Sequence, residues 1–218
     1  VKNVHVPKRY FFSRLARRDM LSFKSKLNKS GYLLKTKQQG TEPEIASTHY
    51  LLNGGKLSVP ISDNDAFLDI VAESLASKEN VYVVELKTRV FPLFMDVDLY
   101  VEKDENTLQE IVRFIHGVVC RFFSDVTNDK TCVVCKEESK TQTKNGVLCT
   151  KYGTHLHWPS LHATSNEAMF IRATAITELT KQFGERSAVN TWEDVIDRWV
   201  YEKNGLRMVG CRKAAGCT

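Results

Sequence analysis

Apolar residues recur at three- and four-residue spacing over 11–27, with Phe11, Phe12, Leu15 and Leu21 on one side and Gly31 as a stop, so the pattern predicts a helix there. The stretch 32–60 is mixed and carries Asn53, Gly54 and Gly55 at its centre, which reads as hairpin and loop. Helical spacing returns over 63–77 through Phe67, Leu68, Ile70, Val71 and Leu75, behind a cap at Ser62 or Asp63. Two short β-favouring runs follow at 81–86 and 93–101, joined by a charged connection with a proline, and they are expected to pair. The clearest helix is 107–123, with Leu108, Ile111, Val112, Ile115, Val118, Val119 and Phe122 as its apolar stripe.

Beyond it, 131–136 and 147–158 read as strands around a polar turn at Asn145 and Gly146, and a helix is expected over 166–183. Asn204 and Gly205 separate 199–201 from 206–209; that dipeptide favours a two-residue turn with positive φ, so a last hairpin is predicted. This order of elements fits an α+β domain with a mostly antiparallel sheet better than a doubly wound one.

Composition sets the scale. With 218 residues and 42% hydrophobic content, the chain has enough apolar material for one large α/β domain or two small, interlocked ones. No run of eighteen apolar residues and no signal-peptide core occurs, so the protein reads as soluble and intracellular, without distinguishing nucleus, organelle or viral replication site. Six cysteines are too few and too scattered for a disulfide scaffold. The chain begins at Val1 without a methionine, which suggests a piece of something longer.

Charge is unevenly spread. The net charge is +5, yet residues 1–40 hold eleven of the 31 Lys/Arg against a single acid, Asp19, which leaves the rest of the chain net negative. Arg14, Arg17, Arg18 and Lys24, interleaved with Tyr10, Phe11, Phe12 and Phe23, suit phosphate neutralisation and base stacking. The plainer account is the solvated face of an amphipathic helix. Residues 1–45 are accordingly read as a basic N-terminal arm and 46–218 as the main domain.

The candidate chemistry lies in three places. On a strand over 93–99, alternation puts Leu93, Met95, Val97 and Leu99 on one face and Asp96 and Asp98 on the other. Two carboxylates about 5 Å apart repel by about 3 kcal/mol at an effective dielectric of 20, a cost that Mg²⁺ or Mn²⁺ between them would reverse. An isolated Asp-x-Asp is more often an ordinary polar face; twice placing a β-disfavoured residue in an apolar strand makes this one unusual. Next, alternation groups Lys151, Gly153, His155 and His157 on one face, offering positive charge, close backbone approach and a directed N–H donor to a triphosphate. Last, Asp197 could add a third carboxylate, with Arg207 and Lys213 as phosphate-binding cations.

Together and in this order, Asp96-Val97-Asp98, Gly153-Thr154-His155, Ile196-Asp197, Val200-Tyr201, Arg207 and Lys213 resemble the motifs of the archaeo-eukaryotic primase superfamily, most closely its primase-polymerase and large-DNA-virus branch. The resemblance extends over about 48–213 and implies an RRM-like catalytic sheet packed with a second α/β subdomain. It implies a DNA primase or polymerase with Asp96, Asp98 and Asp197 as metal-binding catalytic acids. Lys151, Gly153 and His155 would bind the incoming nucleotide, and Arg207 and Lys213 the nucleotide or the template. Single-stranded DNA and nucleoside triphosphates are the implied partners, with no membrane; longer members add a zinc module or a helicase, which would lie beyond Thr218. The family usually carries Ser where Gly153 stands, and Thr154 cannot replace it because alternation turns it to the opposite face.

A zinc site at Cys132 and Cys135 is rejected, because a second close pair is missing and a strand would point the two thiols to opposite sides. Two rival functions use the same residues: a metal-dependent nuclease, and an inactive single-stranded nucleic-acid-binding module.

Overall fold

Hydrophobic alternation and helical stripes produce two compact units in the computed structural model, which describes residues 21–34, 47–101, 106–125, 127, 129–186, 189–202 and 205–212. One unit takes its described residues from 21–87 and 205–212, the other from 88–202.

In the first unit, helix α1 (Phe23–Lys29) starts on Ser22, whose hydroxyl accepts from the Ser25 N–H, and the chain turns away at Gly31 with φ 77°. The rest of the predicted 11–27 helix, with Arg14, Arg17 and Arg18, falls outside the described residues. Strands β1 (His49–Leu51) and β2 (Lys56–Leu57) flank the predicted turn, where Gly54 and Gly55 adopt φ values of 96° and 129°. Helix α2 (Asn64–Ala76) buries Phe67 and Val71, while Leu68 is exposed. The expected cap does not form: Asp63 instead accepts a hydrogen bond from the Ser62 hydroxyl at 2.8 Å. Strand β3 (Val83–Glu85) sits between β1 and a short strand at Leu206–Arg207, β8, in an antiparallel sheet ordered β2-β1-β3-β8. Leu27, Leu57, Phe67, Val81 and Val83 form its fully buried core.

Two expectations fail here. β3 does not pair with the next strand, β4 (Phe91–Val101), because β4 finds a partner matching its whole length elsewhere; the charged connection is the crossing between units and not a hairpin turn. The last hairpin is absent as well. Trp199–Glu202 is helical, and Gly205 is not among the positive-φ glycines. Gly205 serves close approach instead: a Cβ there would lie 1.7 Å from the Glu85 carbonyl oxygen.

The second unit is built on β4 and the long strand β7 (Val147–Ala163), antiparallel from Leu93 opposite Trp158 to Val101 opposite Thr150. β5 (Val133–Lys136) and β6 (Lys140–Lys144) both pair with β7, giving the order β4-β7-β5 with β6 beside it. The Asn145-Gly146 turn, with φ values of 52° and 78°, joins β6 to β7, not the 131–136 strand to β7 as expected. β6 escapes the sequence pattern because Lys140, Thr141, Gln142, Thr143 and Lys144 offer no apolar face. Helix α3 (Asn106–Phe122) buries Leu108, Ile111, Ile115 and Val119, but Phe122 is exposed against Phe170 and Phe123 is buried instead. Helix α4 (Ser165–Phe183) begins in a reciprocal Thr164/Glu167 capping box and lies beside α3. The mixed helices and antiparallel sheets make the protein α+β, as expected.

Gly205→Ala is expected to cost at least about 2 kcal/mol, since backbone must move to admit the methyl group. Gly117→Ala, in α3 with nothing within 4 Å of the added Cβ, is expected to gain about 0.5–1 kcal/mol from helix propensity. Urea midpoints that move the same way in both variants would contradict this account.

Candidate active site

The pleat does what the alternation promised. Met95, Val97 and Leu99 are fully buried on one face of β4, while the Asp96 and Asp98 side chains are 22% and 30% exposed on the other. Directly opposed residues of an antiparallel pair share a face. Register therefore sets Asp98 against Gly153, sets Asp96 against His155 with Cys135 beyond it, and sets Phe94 against His157 with Val133 beyond that.

One acid has a counter-charge at hand and the other an imidazole. The Lys151 ammonium donates to Asp98 Oδ2 at 2.5 Å, and His155 Nε2 lies 3.5 Å from Asp96 Oδ1. Burial disfavours the Lys151 charge, but its hydrogen bond to Asp98 and the nearby carboxylates outweigh this and hold its pKa above the usual lysine value. His157 behaves oppositely: burial, then the neighbouring His155, pushes it down to about 4, so it stays neutral.

Gly153 has a spatial reason in this structure. A Cβ there would lie 3.3 Å from Glu137 Oε2 and 3.4 Å from Asp98 Oδ1, so the two carboxylates reach over the glycine from its two sides. The Glu137 N–H also donates to the Gly153 carbonyl at 2.9 Å. Glu137 went unread in the sequence, since only strand register brings it here.

Asp197 arrives from a separate segment. After helix α5 (Trp192–Val195), Ile196 makes an antiparallel bridge to Val97 and the Asp197 N–H donates to the Asp96 carbonyl at 3.0 Å. Asp197 Oδ1 accepts from the Trp199 N–H at 2.9 Å and so starts helix α6 (Trp199–Glu202). Arg172, buried on α4, donates from Nε to the Ile196 carbonyl at 2.6 Å and from a terminal nitrogen to the Glu193 carbonyl at 2.7 Å. It thus clamps the segment that presents Asp197. From α6, the fully buried Tyr201 hydroxyl donates to the Phe94 carbonyl; burial first, with Asp96 and Asp197 adding, raises its pKa. Arg172 had a legible signal: it stands four residues from both Ala168 and Ile176, inside the buried stripe of α4.

Six of the predicted site residues, Asp96, Asp98, Lys151, Gly153, His155 and Asp197, thus belong to one unit and gather about β4 and β7. Arg207 on β8 and Lys24 on α1 belong to the other unit; Lys24 Nζ contacts the Gly54 carbonyl at 3.4 Å. Lys213, Arg14, Arg17 and Arg18 lie outside the described residues. Among the described residues, no three His, Cys, Asp or Glu side chains converge closely enough to hold a metal ion as they stand. The donor chemistry of the three aspartates is nevertheless that of hard oxygen ligands. Cys132 is buried, which pushes its thiol up to about 12 and keeps it protonated.

Residues 48–218 match the family model described as "C962R protein N-terminal AEP domain", well over half of the chain. The chain belongs to this viral family of archaeo-eukaryotic primase-like domains, and at that coarse level it is a protein of primase/polymerase type. Among curated proteins it is similar to a putative helicase of Acanthamoeba polyphaga mimivirus, with 20% identity over 195 residues that cover 84% of this chain and 20% of that protein. The chain therefore spans about a fifth of that relative's length. Among the described residues, no helix is long and apolar enough to cross a membrane.

Arg172→Ala is expected to destabilise the protein by about 2–4 kcal/mol, because two buried carbonyls lose a charged donor. A urea midpoint equal to that of the unaltered protein would remove Arg172 from its role as clamp. Acid sensitivity follows from the lowered histidines. Between pH 6.5 and about 4 the unfolded chain takes up protons that folded His157 and His49 refuse, so stability falls as pH falls through that window. His157→Gln should flatten the fall by its own share when unfolding is followed at a series of pH values, and an unaltered slope would contradict its buried neutrality.

Proposed function

We propose that this chain is a template-dependent nucleotidyltransferase that joins nucleotides on single-stranded DNA. The observation that carries the reading is the convergence of three sequence-distant motifs: Asp96 faces His155 across the β4/β7 pair, and the Asp197 backbone is bonded to that of Asp96. Membership in a primase-like family agrees with it.

Asp96, Asp98 and Asp197 would hold Mg²⁺ or Mn²⁺, to which their hard oxygen donors are suited. Bound there, divalent cations would lower the pKa of the attacking 3′-hydroxyl and neutralise charge on the phosphates. Asp98 would hold a cation in place of its contact with Lys151, whose ammonium would then be free to meet a phosphate oxygen. His155 directs a ring nitrogen toward Asp96 and across the same face, where it can donate to a phosphate. Arg172 and Tyr201 act behind the face by fixing the segments that carry Asp197 and Asp96. The helicase name of the mimivirus relative suggests that such a domain works beside a helicase in a longer chain.

In primer extension with Mn²⁺, Asp96→Ala and Asp98→Ala are expected to lose activity by on the order of a thousandfold or more, with single-stranded DNA binding kept. Extension at an unchanged rate would overturn the assignment. Shortening of the primer without any triphosphate would identify a nuclease instead.

A further inference from the structure

The reactive face of the sheet continues past Asp98. Two residues on, Tyr100 stands half-buried on the same face, opposite Lys151 of β7, which lies opposite Lys140 of β6. Lys144, the last residue of β6, brings Nζ 4.2 Å over the Tyr100 ring. Lys151 Nζ lies 5.6 Å from the same ring centre while it donates to Asp98. Two ammonium groups thus share one aromatic ring at the edge of the acid site. A ring face positions a cation without neutralising it. Among the described residues no carboxylate lies within ion-pair distance of Lys144, so its charge is available to an anion.

A plainer account exists for lysines on β6. An exposed strand at a sheet edge resists unwanted pairing when it carries them. That account serves Lys140, which is exposed, but leaves unexplained why the half-buried Lys144 turns onto the reactive face and shares a ring with Lys151. The tight turn at Asn145 and Gly146 fixes where β6 ends and so where Lys144 departs.

We propose that Lys144, placed by Tyr100, binds the terminal phosphates of a nucleoside triphosphate whose inner phosphates meet Lys151. This rests on the nucleotidyltransferase reading and adds to it a residue that counts phosphates. A phosphate chain fits better than a nucleic-acid strand. The cationic lane is short, two ammonium groups on one ring, which suits a few phosphates and not a long polyanion.

The test is calorimetric binding of dATP, dAMP and a single-stranded oligothymidylate to the full chain with Mn²⁺. Lys144→Ala is expected to weaken dATP about tenfold, the loss of one charge-assisted contact, and to leave dAMP unchanged. Tyr100→Leu should reproduce that loss and Tyr100→Phe should not, because only the ring places the ammonium. Lys181→Ala, on the far helix α4, removes an equal charge and should change nothing. Should Tyr100→Leu fail to fold, Lys144→Gln supplies the second measurement. Equal dATP affinity in Lys144→Ala and the unaltered protein would overturn the proposal, as would loss of oligothymidylate binding with dATP unaffected. If the unaltered protein binds no dATP at all, the nucleotidyltransferase reading falls with it; if it binds and Lys144→Ala binds alike, only the role of Lys144 falls.

Discussion

The antiparallel register between β4 and β7 governs the rest. It places Asp96 against His155 and Asp98 against Gly153 while burying Met95, Val97, Leu99, Leu156 and Trp158 on the reverse. A slip of one residue would turn every one of these side chains to the wrong face, putting carboxylates in the core. The apolar reverse face therefore fixes the position of the acids on the front. The same strand supplies the backbone edge to which Ile196 and Asp197 attach, so the third acid takes its position from β4 as well.

Holding several acids on a half-buried face is electrostatically unfavourable, and the surroundings show how it is offset. Lys151 pairs with Asp98, His155 faces Asp96, and the buried Arg172 lies on the far side of the Asp197 segment. His157 and Tyr201 occupy the same neighbourhood but are kept neutral by burial, so they add packing and hydrogen bonding without disturbing the charge balance. Glycine at position 153 leaves room for Glu137 to approach Asp98, which a larger residue would obstruct. That offers a physical account of why this chain departs from the serine usual at the position.

Much of this was legible in the residues, and the parts that were not have definite causes. Alternation around Asp96 and Asp98, and around Gly153 and His155, was readable because one face of each strand is apolar. The stripe of α3 was equally plain, apart from the exchange of Phe122 for Phe123 at its end. β6 was hidden because a strand with no buried face leaves no period. Gly205 was misread because glycine answers two different needs, positive φ and close approach, and only the neighbouring Glu85 carbonyl reveals which applies. The pairing of the 81–86 and 93–101 runs failed for a related reason: adjacency in sequence is a weak guide when the chain leaves one unit between them. Glu137 required register, which no single strand encodes. Arg172 was within reach, as a cation inside an apolar helical stripe.

The pairing of β3 with β8 brings Val84 opposite Arg207, across more than a hundred intervening residues that make up the other unit. During synthesis the earlier strands must therefore wait, with an open edge, until Leu206 and Arg207 emerge from the ribosome. The intervening unit is continuous over its described core and faces no such delay. Long-range closure of this kind slows folding and prolongs exposure of unpaired strand edges. The strand that closes the sheet of the first unit is thus made only after the described core of the other unit is complete.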